Sequence, residues 1–181
     1  MSLIIGIAGG TASGKSTFAE ILAEKLRESF TVKLVNMDAF YKSEDERPKN
    51  VSHLSGKTYM DDNVPDAIDF DAFHREIDSA AADVVIAEGL FALSDEYLKD
   101  KLALRVYVDC RDDERAVRRL KRNMSWGLSF DEVAEVYLDM VRFRHDQLVE
   151  PTKWTADVIV NGASDTEKAA EMIKSYITER K

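Results

Sequence analysis

Cysteine is nearly missing from this 181-residue chain: Cys110 stands alone, which excludes an intrachain disulfide and fits a reducing compartment. Proline is scarce as well, with Pro48, Pro65 and Pro151 the only three, so there is no proline-rich linker or recognition segment. The three histidines (His53, His74 and His145) show no metal-ligand spacing. No apolar run approaches a membrane span, and the N-terminal residues lack a signal peptide's charged start and cleavage site. Positive charge is in deficit: 25 Lys and Arg against 34 Asp and Glu leave a net −9, which argues against nucleic acid as a partner. Repeats, low-complexity tracts and interdomain linkers are absent too. The expectation is a cytoplasmic protein with no membrane or nucleic-acid partner. At 45% hydrophobic and 33% charged, its residues 1–181 are most simply one domain with a real core.

What the chain does have is Gly9-Gly10-Thr11-Ala12-Ser13-Gly14-Lys15-Ser16, a complete G-x-x-x-x-G-K-[ST] phosphate-binding loop. A chance match in a chain this size is roughly a one per cent event. Before it, Leu3-Ile4-Ile5-Gly6-Ile7-Ala8 reads as a buried strand; after it, Phe18, Ile21, Leu22 and Leu26 recur at helical spacing. Backbone N–H groups of Gly9 through Thr17 would curl around phosphate oxygens at a helix N-terminus. In such a loop Lys15 reaches the β- and γ-phosphates and the Ser16 hydroxyl ligates Mg²⁺. The motif implies binding of a nucleoside triphosphate.

Apolar segments alternate with helical patterns, the signature of a parallel α/β sheet. The pattern predicts strands at about 3–8, 32–37, 83–87, 104–109 and 156–160. Helices are expected at about 15–29, 66–80, 94–101, 112–124, 130–147 and 165–179. Capping boxes are read at Ser129 with Glu132 and at Ser164 with Glu167. The stretch 39–64 is polar and predicted to be one long, mobile, irregular loop, a length that usually signals function or disorder.

Ligands of α/β sheets collect at the carboxyl ends of strands. Asp38, Glu88 and Asp109 each follow an apolar run there. Such a carboxylate can hold Mg²⁺, take a proton from an attacking hydroxyl, or simply cap the next turn. Arg115, Arg118, Arg119 and Arg122 are spaced to share a helix face. They read either as a solvated face paired with Asp112, Asp113 and Glu114 or as a lid, at about 111–129, that clamps phosphate. Leu54-Ser55-Gly56-Lys57-Thr58 is only half a phosphate loop and is set aside, and Phe70, Phe73 and Ile77 read as core.

Taken together, the phosphate loop, Asp38-Ala39-Phe40-Tyr41-Lys42, Pro65-Asp66-Ala67-Ile68-Asp69, Ala87-Glu88-Gly89, Arg118 to Arg122 and Val149-Glu150-Pro151-Thr152-Lys153 resemble the uridine/cytidine kinases. The similarity runs in order over nearly the whole chain and extends to the wider group that includes phosphoribulokinases and pantothenate kinases. It implies a P-loop kinase fold: a five-stranded parallel sheet in order 2-3-1-4-5, helices on both faces and a helical lid. It further implies Asp38 as catalytic base, Ser16, Glu88 and Asp38 around Mg²⁺, and Arg119 and Arg122 as lid and substrate arginines. Tyr41 would lie near the acceptor and Asn161-Gly162-Ala163 near the adenine. Self-association is common in the family.

The chain also departs from that pattern. The β-hairpin that reads the pyrimidine, expected between residues 82 and 83, has no room. Asn63-Val64-Pro65 replaces Asp-His-Pro, so Asn63, or Asp61 or Asp62 after a shift, takes the place of a ribose-binding Asp. Trp126-Gly127-Leu128 replaces Arg-Gly-Arg. The reading is an ATP- and Mg²⁺-dependent kinase of a small-molecule hydroxyl, with a nucleoside 5′-hydroxyl first. Its alternatives are another acceptor (a different nucleoside, a vitamin precursor or a sugar) and an ATP-binding module without small-molecule turnover. An Asn-Lys-x-Asp guanine motif is absent, which excludes a GTPase of that type.

Overall fold

The computed structural model describes residues 2–180. Strand β1 (Leu3–Ala8) leads through the phosphate loop into α1 (Lys15–Arg27), followed by β2 (Val32–Asn36) and a 3₁₀ turn, Met37–Phe40. A hairpin of β3 (Lys49–Val51) and β4 (Thr58–Met60) comes next, then α2 (Phe70–Asp78) and β5 (Val84–Glu88). After β6 (Leu102–Asp109) come α3 (Asp112–Ser125), α4 (Phe130–Val136) and the short α5 (Arg142–Arg144). Strand β7 (Val158–Asn161) and α6 (Glu167–Arg180) complete the described chain. The large sheet runs β2-β5-β1-β6-β7, all parallel. With the hairpin strands left out of the count, this is the expected 2-3-1-4-5 order.

Because side chains alternate along a strand, each central strand feeds two cores. Ile5, Ile7, Val84 and Ile86 pack with Phe18, Leu22 and Leu26 of α1 and Ile173 and Ile177 of α6. Val85 and Ala87 face the other way, against Phe73 and Ile77 of α2, Phe91 and Tyr107. Each fully buried Leu, Ile or Phe stabilises by about 1.5–3 kcal/mol. The register is what positions the chemistry. Glu88 pairs with Ile7 on one side and Asn36 on the other, so the carboxyl ends of β1, β2 and β5 lie level beside the phosphate loop.

Element ends fall mostly within about two residues of expectation, but five details differ. Residues 94–101 form successive turns rather than a helix. The Asp95 side chain accepts from the Tyr97 N–H at 3.1 Å and meets His74 at 2.6 Å, a local alternative to the helical ladder. Helix α2 begins at Phe70, because Ile68 is extended and bridges to Tyr41, and Asp69 caps the helix by accepting from the Ala72 N–H at 2.9 Å. The Ser129–Glu132 capping box forms. The one at Ser164 does not: its hydroxyl donates to the Asn161 carbonyl, and Asp165 accepts from the Glu167 N–H instead. The stretch 130–147 is helical but interrupted by wide π turns at Tyr137–Val141 and His145–Val149.

The fifth difference bears on the site. The 39–64 stretch is not irregular throughout, since it carries the β3–β4 hairpin. That hairpin is tied to α4 and the helical region after it. Asp139 accepts from the Ser55 and Tyr59 hydroxyls, Lys57 pairs with Glu135 at 2.7 Å, and Arg144 donates to buried Asp61 at 2.7 Å.

Candidate active site

The phosphate loop has the backbone its chemistry requires. Gly14 holds φ at 98° and Ala12 at 60°, left-handed conformations that turn successive N–H groups inward. Gly14 is also the N-cap of α1 and contributes no side-chain cap, so the helix's first N–H groups stay available to an anion. Lys15 is 6% exposed at the start of that helix. The loop after β7 packs directly on this wall: a Cβ at Gly162 would fall 2.0 Å from the Ser13 carbonyl oxygen, and Arg118 Nη1 donates to the Gly162 carbonyl at 3.0 Å.

Two of the three strand-end carboxylates join the loop and one does not. Asp38 sits exposed in the 3₁₀ turn, its N–H held by the Asn36 side chain at 2.8 Å, and it lines a cavity that Lys15 also lines. Glu88 is 1% exposed and its Oε2 has no hydrogen-bond partner. Burial pushes the Glu88 carboxyl up, Lys15 opposes this, and Asp38 adds to it. A buried, unpartnered carboxylate oxygen near the Ser16 hydroxyl fits a hard cation, whose remaining ligands would be water and phosphate oxygens. No cluster of three or more His, Cys, Asp or Glu able to hold a metal occurs among the described residues, so protein side chains alone do not form a cage. Asp109 instead pairs with Lys153 at 2.7 Å and lines a separate concavity with Cys110 and Glu150.

The four arginines divide into different tasks. Arg115 is 2% exposed; its Nε donates to the Cys110 carbonyl at 3.2 Å and its Nη2 to Asp112 at 2.5 Å, beneath the phosphate loop. Arg118 spans from Glu114 to Gly162. Arg119 Nη1 and Arg122 Nη2 both donate to Thr11 Oγ1, at 3.0 and 3.2 Å, and both enter the cavity. The Arg119 Nε is buried without a partner. Burial, and then Arg122 beside it, lower the Arg119 pKa, so an anion arriving there relieves two cations at once.

This cavity has a volume of about 330 Å³, and Lys15, Asp38, Arg119 and Arg122 all line it. Its other walls include Tyr41, Asp62 and Asn63. Asp62, rather than Asp61, lines it: Asp61 is 1% exposed and consumed by Asn50, Arg144 and the Asn63 N–H. The Tyr41 hydroxyl donates to the Asp62 carbonyl at 3.1 Å, and burial raises its pKa. Arg47 was not singled out by sequence, yet it lies 5.2 Å over the Tyr41 ring and pairs with Asp62 at 3.3 Å. A lone arginine in a polar loop carries little signal before the hairpin folds. Asn123, Leu90 and Trp126 complete the lining, whereas Leu128 does not reach it.

Comparisons with known proteins agree with this arrangement. The chain is 33% identical over 97% of its length, and 93% of the relative's, to a uridine kinase of Lactobacillus johnsonii. It is 35% identical to a uridine kinase of Staphylococcus aureus, over 96% of this chain and 94% of that one. Among solved structures it resembles a shikimate kinase from Bacteroides thetaiotaomicron with a TM-score of 0.58 at 17% identity, covering 97% of this chain and 98% of that one; at that identity the likeness speaks for the fold. The profile of the Phosphoribulokinase / Uridine kinase family matches residues 75–169. With its phosphate loop, and with Lys15, Asp38, Arg119 and Arg122 lining one cavity, this chain belongs to the phosphoribulokinase/uridine kinase family.

Proposed function

We propose that the chain transfers the γ-phosphoryl group of ATP to a hydroxyl of a nucleoside. The observation that carries this reading is the one cavity lined by Lys15, Asp38, Arg119 and Arg122 together with Tyr41, Asp62 and Asn63. The donor triphosphate lies on the residue 9–17 loop with Lys15 at its β- and γ-oxygens. Asp38 takes the proton of the acceptor hydroxyl as the oxygen attacks phosphorus, while Arg119 and Arg122 stabilise charge on the transferring group. Ser16 and Glu88, with Asp38 directly or through water, would hold Mg²⁺, which when bound neutralises phosphate charge as a Lewis acid. Asp62 and Asn63 stand where hydroxyls of a ribose would be read. An ATP-binding module without turnover is not favoured, since curated relatives spanning nearly the whole chain carry the name uridine kinase. The same reading places the enzyme in the cytoplasm, where a lone thiol stays reduced.

The test is ADP release with uridine and cytidine as acceptors, repeated on Asp38→Asn. That change keeps size and hydrogen bonding but accepts no proton, so turnover falls about 10²–10⁴-fold. A loss under about fivefold, where chemistry limits turnover, removes the base role.

A further inference from the structure

Tyr41 and Trp126 are the only aromatic side chains among the cavity's lining residues, and their states differ. Tyr41 is half-buried, its hydroxyl is committed to the Asp62 carbonyl, and Arg47 covers its ring. Trp126 is 68% exposed although it lines the same cavity as Asp38. Its place is set by the end of α3: Gly127 adopts φ 97°, and the Trp126 and Leu128 N–H groups both return to the Asn123 carbonyl. Arg122 lies 5.1 Å over the indole while also bonding Thr11 and Asn123. The indole is thus fixed in position, steadied by a cation, and left largely uncovered.

Building on the nucleoside kinase reading above, we infer that Trp126 is the platform on which the planar base of the acceptor stacks. A stacking surface recognises the flat face of a heterocycle and not its hydrogen-bonding edge, so it accepts pyrimidines and purines alike. The acceptor class that follows is nucleosides with little discrimination among bases; acceptors without a ring, such as free sugars, gain nothing from Trp126.

The experiment compares wild type, Trp126→Ala and Trp126→Phe with uridine, cytidine, adenosine and ribose, at saturating ATP and at varied ATP. Removing a stacking aromatic costs about 5- to 150-fold in affinity. Trp126→Ala therefore raises KM by that amount for all three nucleosides and leaves KM for ATP and kcat within about threefold. Trp126→Phe recovers most of the loss, and turnover of ribose is unaltered. In a Trp154→Phe background, which removes the other, 81% exposed tryptophan, indole fluorescence responds to nucleoside but not to ribose. An unchanged nucleoside KM in folded Trp126→Ala, a loss confined to KM for ATP, or a base preference of a hundredfold or more in wild type overturns the inference while leaving the kinase reading intact. ATP binding with no nucleoside turnover in wild type overturns both.

Discussion

Gly10 occupies a position where the phosphate-loop motif accepts any residue, yet the structure predicts that even alanine is costly there. A Cβ built on Gly10 would lie 2.4 Å from Arg115 Nη1, 2.8 Å from its Cζ and 2.9 Å from His145 Cε1. An arginine tip ordinarily swings aside, but this one is 2% exposed and held by the Cys110 carbonyl and Asp112. Either the loop shifts outward or the guanidinium leaves its partners. Overpacking of that kind costs about 1–3 kcal/mol, and losing the buried ion's partners brings the upper limit to about 5 kcal/mol. At about 2–4 °C per kcal/mol for a chain of this size, the thermal midpoint of Gly10→Ala should fall by roughly 2–20 °C. An outward loop shift also weakens ATP binding, because the N–H groups no longer converge on phosphate. Calorimetry without nucleotide and KM for ATP read the two effects. Because the clash is with Arg115, the alanine should cost less in an Arg115→Ala background, with a coupling of about 0.5–3 kcal/mol. A midpoint within about 1 °C of wild type, or a cost independent of Arg115, would refute the reasoning.

Asp38→Asn and Trp126→Ala were treated above, and two further outcomes follow from the titrating groups. Burial raises the Glu88 pKa, so between the ordinary glutamate value and the folded value the folded chain binds this proton more tightly than the unfolded chain, and that contribution to stability is lost as pH rises through the folded value. Glu88→Gln should accordingly raise the melting temperature of the nucleotide-free protein near pH 7.5 while reducing turnover, and an unchanged or lower midpoint would count against a strained carboxylate. His145 is the opposite case. Burial, and then Arg115, hold its pKa down, with Glu150, Asp112 and Asp146 opposing, so stability should fall as pH drops through the ordinary histidine value near 6.5. Thermal midpoints from pH 7.5 to 5 should show that fall, and His145→Gln should flatten it.

Much of the site was legible because phosphate binding is local chemistry. A loop of six residues between a strand and a helix determines its own backbone, and a carboxylate just past a buried strand reaches the same end of the sheet as every other strand's end. That is why Lys15, Ser16, Asp38 and Glu88 were readable from spacing. Asp109 satisfied the same rule and has another role, since Lys153 arrives from 44 residues later to neutralise it. Nothing within its own strand announces that partner. The arginines of α3 show the same limit: spacing puts them on one face, but only packing buries Arg115 under the loop and brings Arg119 and Arg122 to Thr11.

The amino-acid sequence alone therefore determined the five sheet strands, most of the helices and the phosphate-loop backbone, because hydrophobic periodicity and loop conformation are set by near neighbours. Tertiary structure alone decided which other residues line the cavity. Asp61 and Asp62 are adjacent and chemically alike, yet Arg144 and Asn50 claim the first and the cavity receives the second. The hairpin at Lys49–Met60 holds its place through Asp139 and Glu135, about eighty residues away in the chain. Trp126 looks like the loss of an arginine when read in line. Only the fold places its indole on the cavity that Asp38 also lines, because a side chain's surroundings come from elements that meet after the chain has closed on itself.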